Sequence, residues 1–183
     1  MFKARLELNY SNLDLGAEIL ADLVSFLPER QDAADVYEEL AKYPFARVRE
    51  AVANKKPLTD ETVRVLAHDK SQAVLIALIN NDAANQRIAM NRIYELIAAD
   101  DANVLQAIFS NLKNMTQLDT ARIFHMFTIH KDAAIRLEVA RSSDTNAELL
   151  HRLARDEDPD VRDAVLTTLR LHSTIDTDND WGD

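Results

Sequence analysis

The residues that could carry chemistry in this 183-residue chain are 31 acidic side chains, 21 lysines and arginines and five histidines, with no cysteine at all. The histidines stand at His68, His125, His130, His151 and His172. None is four residues from another, the spacing that sets two imidazoles on one helix face to hold a metal. His125 and His130, five apart, diverge by more than a right angle around a helix, so each histidine reads as a boundary or partly buried side chain. The absence of cysteine removes disulfides, thiolate zinc sites, cysteine-held iron–sulfur clusters and a thiol nucleophile. No serine lies in a nucleophile-elbow setting. Carboxylates are abundant, yet an acidic chain always offers pairs, and an acid and a base are chosen by geometry. Gly16 and Gly182 are the only glycines, which excludes glycine-rich phosphate loops and dinucleotide fingerprints. Asp176-Thr-Asp178-Asn-Asp180 imitates the first ligands of a calcium loop. Trp181 follows it, however, the glycine comes one place late, and no bidentate glutamate follows. The expectation is a non-enzymatic chain with no catalytic residue, metal site or cofactor.

Charge narrows the partners. The formal charge is −10, and Asp176, Asp178, Asp180 and Asp183 supply four of those negatives. Binding nucleic acid through phosphate neutralisation calls for clustered cations, and long-range repulsion opposes it here. A local cluster exists at Arg47, Arg49, Lys55 and Lys56, read as a solvated face paired with Glu50 and Glu38 or Glu39 rather than a phosphate site. No apolar run is long enough to span a bilayer and no secretory leader pattern is present, so no membrane role and a cytoplasmic location are expected.

The elements that position these groups come from an internal period. An aliphatic or aromatic residue precedes an aliphatic anchor by eight places at Leu40/Val48, Leu66/Val74, Leu96/Val104, Phe127/Ile135 and Leu153/Val161, with anchors 26, 30, 31 and 26 residues apart. Offsets 0, +3 and +4 from each anchor are apolar, one face of a helix, with Glu138 the lone exception. Three residues before the anchors stand Phe45, Ser71, Asp101, Asp132 and Asp158, four of which suit a helix N-cap, and Pro159 suits a first helical position. A second helix fills the first half of each repeat. Thr59 starts one, Thr116-x-x-Asp119 and Thr145-x-x-Glu148 have capping-box spacing, and Leu118, Ala121, Phe124 and Phe127 form one stripe while Leu149, Leu150, Leu153 and Ala154 form another. The extra residues of the longer middle repeats fall around 81–98, where the stripe Ala84, Ile88, Tyr94 and Ile97 extends. Repeats of this length stack because none buries its apolar face alone.

Ahead of them, 14–27 carries Ile19, Leu20, Leu23 and Phe26 at helical spacing and 33–43 reads as another helix, so 1–39 is an N-terminal segment with capping helices. Phe2, Ala4, Leu6, Leu8 and Tyr10 alternate like a strand with no evident partner strand. The repeat array covers 40–171 within the same single domain, and 172–183 reads as an acidic disordered tail.

Asp158-Pro-Asp-Val161-Arg162-Asp-Ala164-Val165, with its echoes Asp132-Ala-Ala-Ile135-Arg136 and Arg47-Val48-Arg49-Glu-Ala51-Val52, resembles the second helix of HEAT-like repeats and of the related leucine-rich-repeat variant. That resemblance implies an all-α, right-handed α-α superhelix of about five helix pairs, used as a scaffold or partner-binding surface. It also implies bridges between neighbouring repeats from Asp132/Arg136 and Asp158/Arg162, whereas Leu75 and Leu105 replace the arginine in the middle repeats. The cysteine-bound cluster of some leucine-rich-repeat variants has no ligands here, and the basic groove of HEAT-like glycosylases has no counterpart in so acidic a chain.

Subtracting what the stack needs leaves offsets +2 and +6 for a partner. The candidate binding residues are Glu50, Asn54, Ile76, Asn80, Gln106, Leu137 and Arg141. The run 73–79 is apolar all round, which means either cover by neighbouring helices or an apolar patch that docks a peptide or a second copy of the chain. The expected function is a scaffold or adaptor for a protein or peptide partner. An acidic inhibitor or immunity-type protein that blocks a basic surface is the alternative, followed by an enzyme built on the scaffold.

Overall fold

The computed structural model describes residues 5–8 and 11–178, with side-chain surroundings defined from Leu15 to Leu171. It is all-α apart from one N-terminal hairpin. There β1 (Arg5–Leu8) pairs antiparallel with β2 (Ser11–Asp14), placing Leu6 opposite Leu13 and Leu8 opposite Ser11. The alternating stretch therefore does have a partner strand. Ser-Asn-Leu-Asp escapes notice because it holds a single aliphatic residue. Phe2, Ala4 and Tyr10 lie outside the described residues.

Eleven α-helices follow among the described residues: α1 (Ala17–Phe26), α2 (Ala34–Leu40), α3 (Ala46–Ala53), α4 (Asp60–Ala67), α5 (Gln72–Ile79), α6 (Met90–Ala99), α7 (Ala102–Ser110), α8 (Thr120–Thr128), α9 (Ala133–Arg141), α10 (Ala147–Leu153) and α11 (Pro159–Asp178). The five anchored helices α3, α5, α7, α9 and α11 all begin two residues before their anchor, and all five anchors are buried. Three of the aspartates cap as their spacing predicts. Asp101 accepts from the amides of Asn103 and Val104, Asp132 from Ala134, and Asp158 from Asp160 and Val161. Ser71 holds the N-cap position without a side-chain bond. Thr59 caps α4 through the Thr62 amide. The two threonine capping boxes are not formed. Asp119 caps α8 and Asn146 caps α10, while Thr145 is buried with its hydroxyl on the Val139 carbonyl at 2.6 Å. Asp100, in the left-handed region (φ 61°, ψ 35°), ends α6 where glycine usually sits.

The chain forms two compact units, Met1–Leu118 and Asp119–Asp183, so the array expected over 40–171 is divided at Leu118. In the first unit α1 lies on α3, α3 on α5 and α5 on α7, while α2 and α4 meet behind them. In the second, α9 lies on α11 and α8 on α10. The structure differs from the sequence reading in three further ways. α1, which packs on α3, buries Leu20, Ala21 and Val24 and leaves Ile19, Leu23 and Phe26 exposed, so its buried face is turned from the stripe read in the sequence. The extra residues of the middle repeats do not lengthen α6. They form loops with 3-10 turns at Asn85–Arg87 and Leu112–Asn114, cross-linked by Gln117 onto the Asn85 and Ile88 carbonyls and by Asn114 onto Asp82. The segment expected as a disordered tail from 172 is helical as far as Asp178.

Along one edge of each unit runs a recurring guanidinium contact. Arg49 forks onto Asp69 at 2.5 and 2.9 Å and donates to the carbonyls of Tyr43 and Pro44 in its own preceding loop. Arg136 does the same with Asp156 (2.8 and 2.8 Å) and the His130 and Lys131 carbonyls. Arg162 keeps the loop half, onto the Asp156 and Glu157 carbonyls at 2.7 and 2.9 Å. The bridging carboxylate is thus five residues before the next anchor. Asp132 and Asp158, expected as the bridges, are N-caps instead. Asp69 and Asp156 also accept the amides of Ser71 and Asp158, which fixes the turn entering the next helix.

The Arg136–Asp156 pair is buried, with side chains only 8% exposed on both sides, and bonds from Arg136 hold the Asp156 carboxyl below its ordinary value. Burial pushes Asp69 up, but bonds from Arg49 and the Ser71 amide outweigh it and the net shift is also downward. A depressed carboxyl adds stability above its unfolded value, near pH 4, and loses it as the pH falls through the folded value. Arg136→Ala is therefore expected to cost about 3 kcal/mol at neutral pH, because it strands a buried carboxylate. Asp156→Asn should flatten the decline of stability in acid; urea melts at neutral pH and below about pH 4 check both.

Candidate functional site

The seven residues singled out for a partner divide between the two units. On the first, Glu50 and Asn54 come from α3 and its C-cap, Ile76 and Asn80 from α5 and its C-cap, and Gln106 from α7. Because α3, α5 and α7 lie side by side, their equivalent offsets share one face of the row. Glu50 and Ile76 are half-buried, and Asn54, Asn80 and Gln106 are exposed. The asparagines finish helix ends as well as facing water. Asn54 donates to the Glu50 carbonyl at 3.0 Å, and the Asn80 side-chain oxygen accepts from Asn111 at 2.9 Å, tying the end of α5 to the end of α7.

On the second unit Leu137 is half-buried and Arg141 exposed, both on α9. Arg141 borders a shallow groove of about 500 Å³ between α9 and α11 with Asp163, Thr167 and Leu171.

The apolar helix α5 is covered internally. Val74, Leu75, Ala77, Leu78 and Ile79 are all buried, against α3, α4 and α7. Only Ile76, half-buried, and the small Ala73 remain toward solvent. The broad central patch that the sequence allowed therefore shrinks to a single aliphatic side chain in a polar rim.

The basic cluster near the N-terminus does not pair as its sequence suggested, nor does it converge on a phosphate. Arg47 reaches Glu18 and Asp22 on α1, and Arg49 is the bridge to Asp69. Lys55, 5% exposed, donates to the carbonyls of Ser25 and Leu27, both at 2.8 Å. A cation there meets the negative end of the α1 dipole and the carbonyls the helix leaves open. Glu38 and Glu39 take Lys42 instead.

One constellation escaped the sequence reading. An open cleft of about 1050 Å³ lies in the second unit between the α8–α9 loop and the C-terminal end of α10, lined among others by Ile129, Lys131, His151, Arg152 and Arg155. Arg136, Asp156 and Glu157 form its back wall. The available signal was the run His151-Arg-Leu-Ala-Arg155 beside His130-Lys131, too far apart in sequence to register as one cluster. Among the described residues no set of three or more histidines and carboxylates converges as metal ligands. Asp69, Asp156 and the exposed Glu61 are carboxyls displaced from their ordinary values, each lowered with an arginine bonded to it. No described helix is long and apolar enough to cross a membrane.

Comparison of the chain with protein-family models, with curated proteins and with solved structures finds no match.

Lys55→Met should lower stability by about 2 kcal/mol, since two part-buried carbonyls at the end of α1 lose a charged donor. That corresponds to a thermal midpoint about 4–8 °C lower. Faster amide exchange confined to α1 is the accompanying sign.

Proposed function

We propose that the chain is a non-enzymatic scaffold that binds a protein or peptide partner through the face shared by α3, α5 and α7, with Glu50, Asn54, Ile76, Asn80 and Gln106 as the contacting set. Leu137 and Arg141 extend the same use of offsets +2 and +6 to the second unit. The five helix pairs are read as HEAT-like repeats of a right-handed superhelix. What supports that reading is the equivalent helix start at every anchor and the recurrence in both units of odd-on-odd helix contacts and arginine-to-loop bonds. No nucleic acid, membrane or cofactor enters the proposal, and a cytoplasmic setting suits it.

The observation that carries the binding face is Ile76. Its neighbours on α5 are buried by packing, and the residues around it on the face are polar and fastened by hydrogen bonds. A half-exposed aliphatic side chain in a preorganised polar rim is the arrangement of an interface anchor, which gains most of its energy when a partner completes its burial. The rim amides, fixed by bonds within the fold, lose little freedom on binding.

Ile76→Asp should abolish retention of a partner captured by the intact chain, and Asn54→Arg, at a fully exposed position, should weaken it without a packing defect. Both variants should keep the parent's helical circular dichroism. Retention should persist at about 0.5 M salt, where surface charges are screened. Loss of the complex on adding salt, with Ile76→Asp harmless, would point instead to an acidic inhibitor acting through its charge.

A further inference from the structure

We propose that the cleft between the α8–α9 loop and α10 is a docking site for a short acidic segment of a partner protein, separate from the α3–α5–α7 face. The argument begins with charge. The chain carries −10, yet the cleft gathers Arg136, Arg152 and Arg155 beside Asp156 and Glu157. Arg136 is already spent on Asp156 and Glu157. Arg152 and Arg155, by contrast, are exposed and carry no ion pair among the described residues. Elsewhere in this acidic molecule arginines commonly find carboxylates. Arg30, Arg47, Arg49, Arg64, Arg87 and Arg92 all do.

The two guanidinium groups sit on the turn that ends α10, three residues apart. They lie at the negative end of the helix, which offsets part of the cost of holding two cations together. The back wall is fixed: Arg136 donates to the His130 and Lys131 carbonyls of the α8–α9 loop and to the Asp156 carboxylate beside it. The cleft is thus held open by the fold. Ile129, 52% exposed on its edge, offers apolar surface beside the charges.

The occupant follows from these unpaired arginines. Arg152 and Arg155 suit about two carboxylates, each able to take a forked pair of bonds from an arginine. A dense polyanion such as a nucleic acid would have to lie across Glu157, whose side chain is 87% exposed, and to approach against the charge of the whole chain. A short segment with two or three acidic residues and one aliphatic residue for Ile129 meets far less of that repulsion.

The test uses the full chain and a fluorescein-labelled octapeptide with three glutamates and one leucine among serines and alanines, with a version carrying glutamines for the glutamates as the amide control, read by anisotropy. The acidic peptide should bind at low salt and weaken as salt rises, while the amide version should not bind. The pair Arg152→Glu and Arg155→Glu should weaken binding by about tenfold or more. Lys56→Glu, an exposed cation of the first unit, and Ile76→Asp should leave it unchanged, which separates this site from the α3–α5–α7 face. No binding by the parent chain, equal binding of the amide peptide, or an equal loss from Lys56→Glu would overturn the proposal. Tighter binding of a single-stranded oligonucleotide of matched charge would also overturn it.

Discussion

Ten of the eleven helices are seven to ten residues long, shorter than the roughly 12–15 residues below which a helix in water is marginal even with favourable composition. Everything else in the structure depends on that limit. None of these helices is held by its own hydrogen bonds, so each must be stabilised by the face it buries and by groups that close its ends. The face is supplied by the anchors: Val48, Val52, Val74, Leu78, Val104, Ile108, Ile135, Val139, Val161 and Val165 are all at most 3% exposed. The ends are supplied by side chains, since only two glycines exist to terminate helices in the usual way. Asp100 takes the left-handed position itself, Asp101, Asp119, Asp132 and Asn146 cap helix starts, and Lys55 closes the C-terminus of α1.

The arginine bridges solve the same problem between repeats. One guanidinium holds its own entering loop by two carbonyls and the next loop by a carboxylate, so two otherwise irregular segments become one fixed edge. Where the arginine is absent the carboxylate is absent too. Leu75 stands in place of Arg49, and five residues before the following anchor Ala99 stands in place of Asp69. A lone partner would be worse than neither, because an unpaired buried charge costs more than an apolar replacement. Leu75 is buried, so the position that carries an ion pair in one repeat carries packing in another. The all-round apolar character of α5 is a consequence of that exchange, which is why it does not signal a large docking patch.

Much of this was legible beforehand. The period and its cap residues located the starts of α5, α7, α9 and α11, because the apolar face at offsets 0 and +4 is dictated by helix geometry alone; α3, preceded by Phe45 rather than a capping residue, begins at the same offset. Three aspartate caps and the Thr59 cap followed from local rules. Features set by non-local partners were not legible. Thr145 looked like a cap and is a buried hydroxyl bonded six residues back, and Asn146 beside it takes the role because both residue types can cap. The hairpin partner Ser11–Asp14 lacks alternation, and the face that α1 buries, Leu20, Ala21 and Val24, is set by its packing on α3. The bridging carboxylates were misplaced, because Asp132 and Asp158 are caps and the bridges come from Asp69 and Asp156, each two residues before a cap position; only the path of the chain distinguishes a cap from a bridge.

The site shows the same division more sharply. Offsets +2 and +6 on α3, α5 and α7 were available from the period, and the fold sets them on one face, but their exposure differs with what each neighbour covers. The basic cleft was invisible because its cations belong to two elements about twenty residues apart and the molecule as a whole is acidic. Net charge describes the far field, which governs approach, while a cleft of opposite sign governs what is held after contact. The same fold edge that needs Arg136 to join two loops also carries Arg152 and Arg155, which make no ion pair among the described residues. A structural bridge between short helices thereby has unpaired arginines beside it, and a binding surface can arise there without any residue being withdrawn from the core.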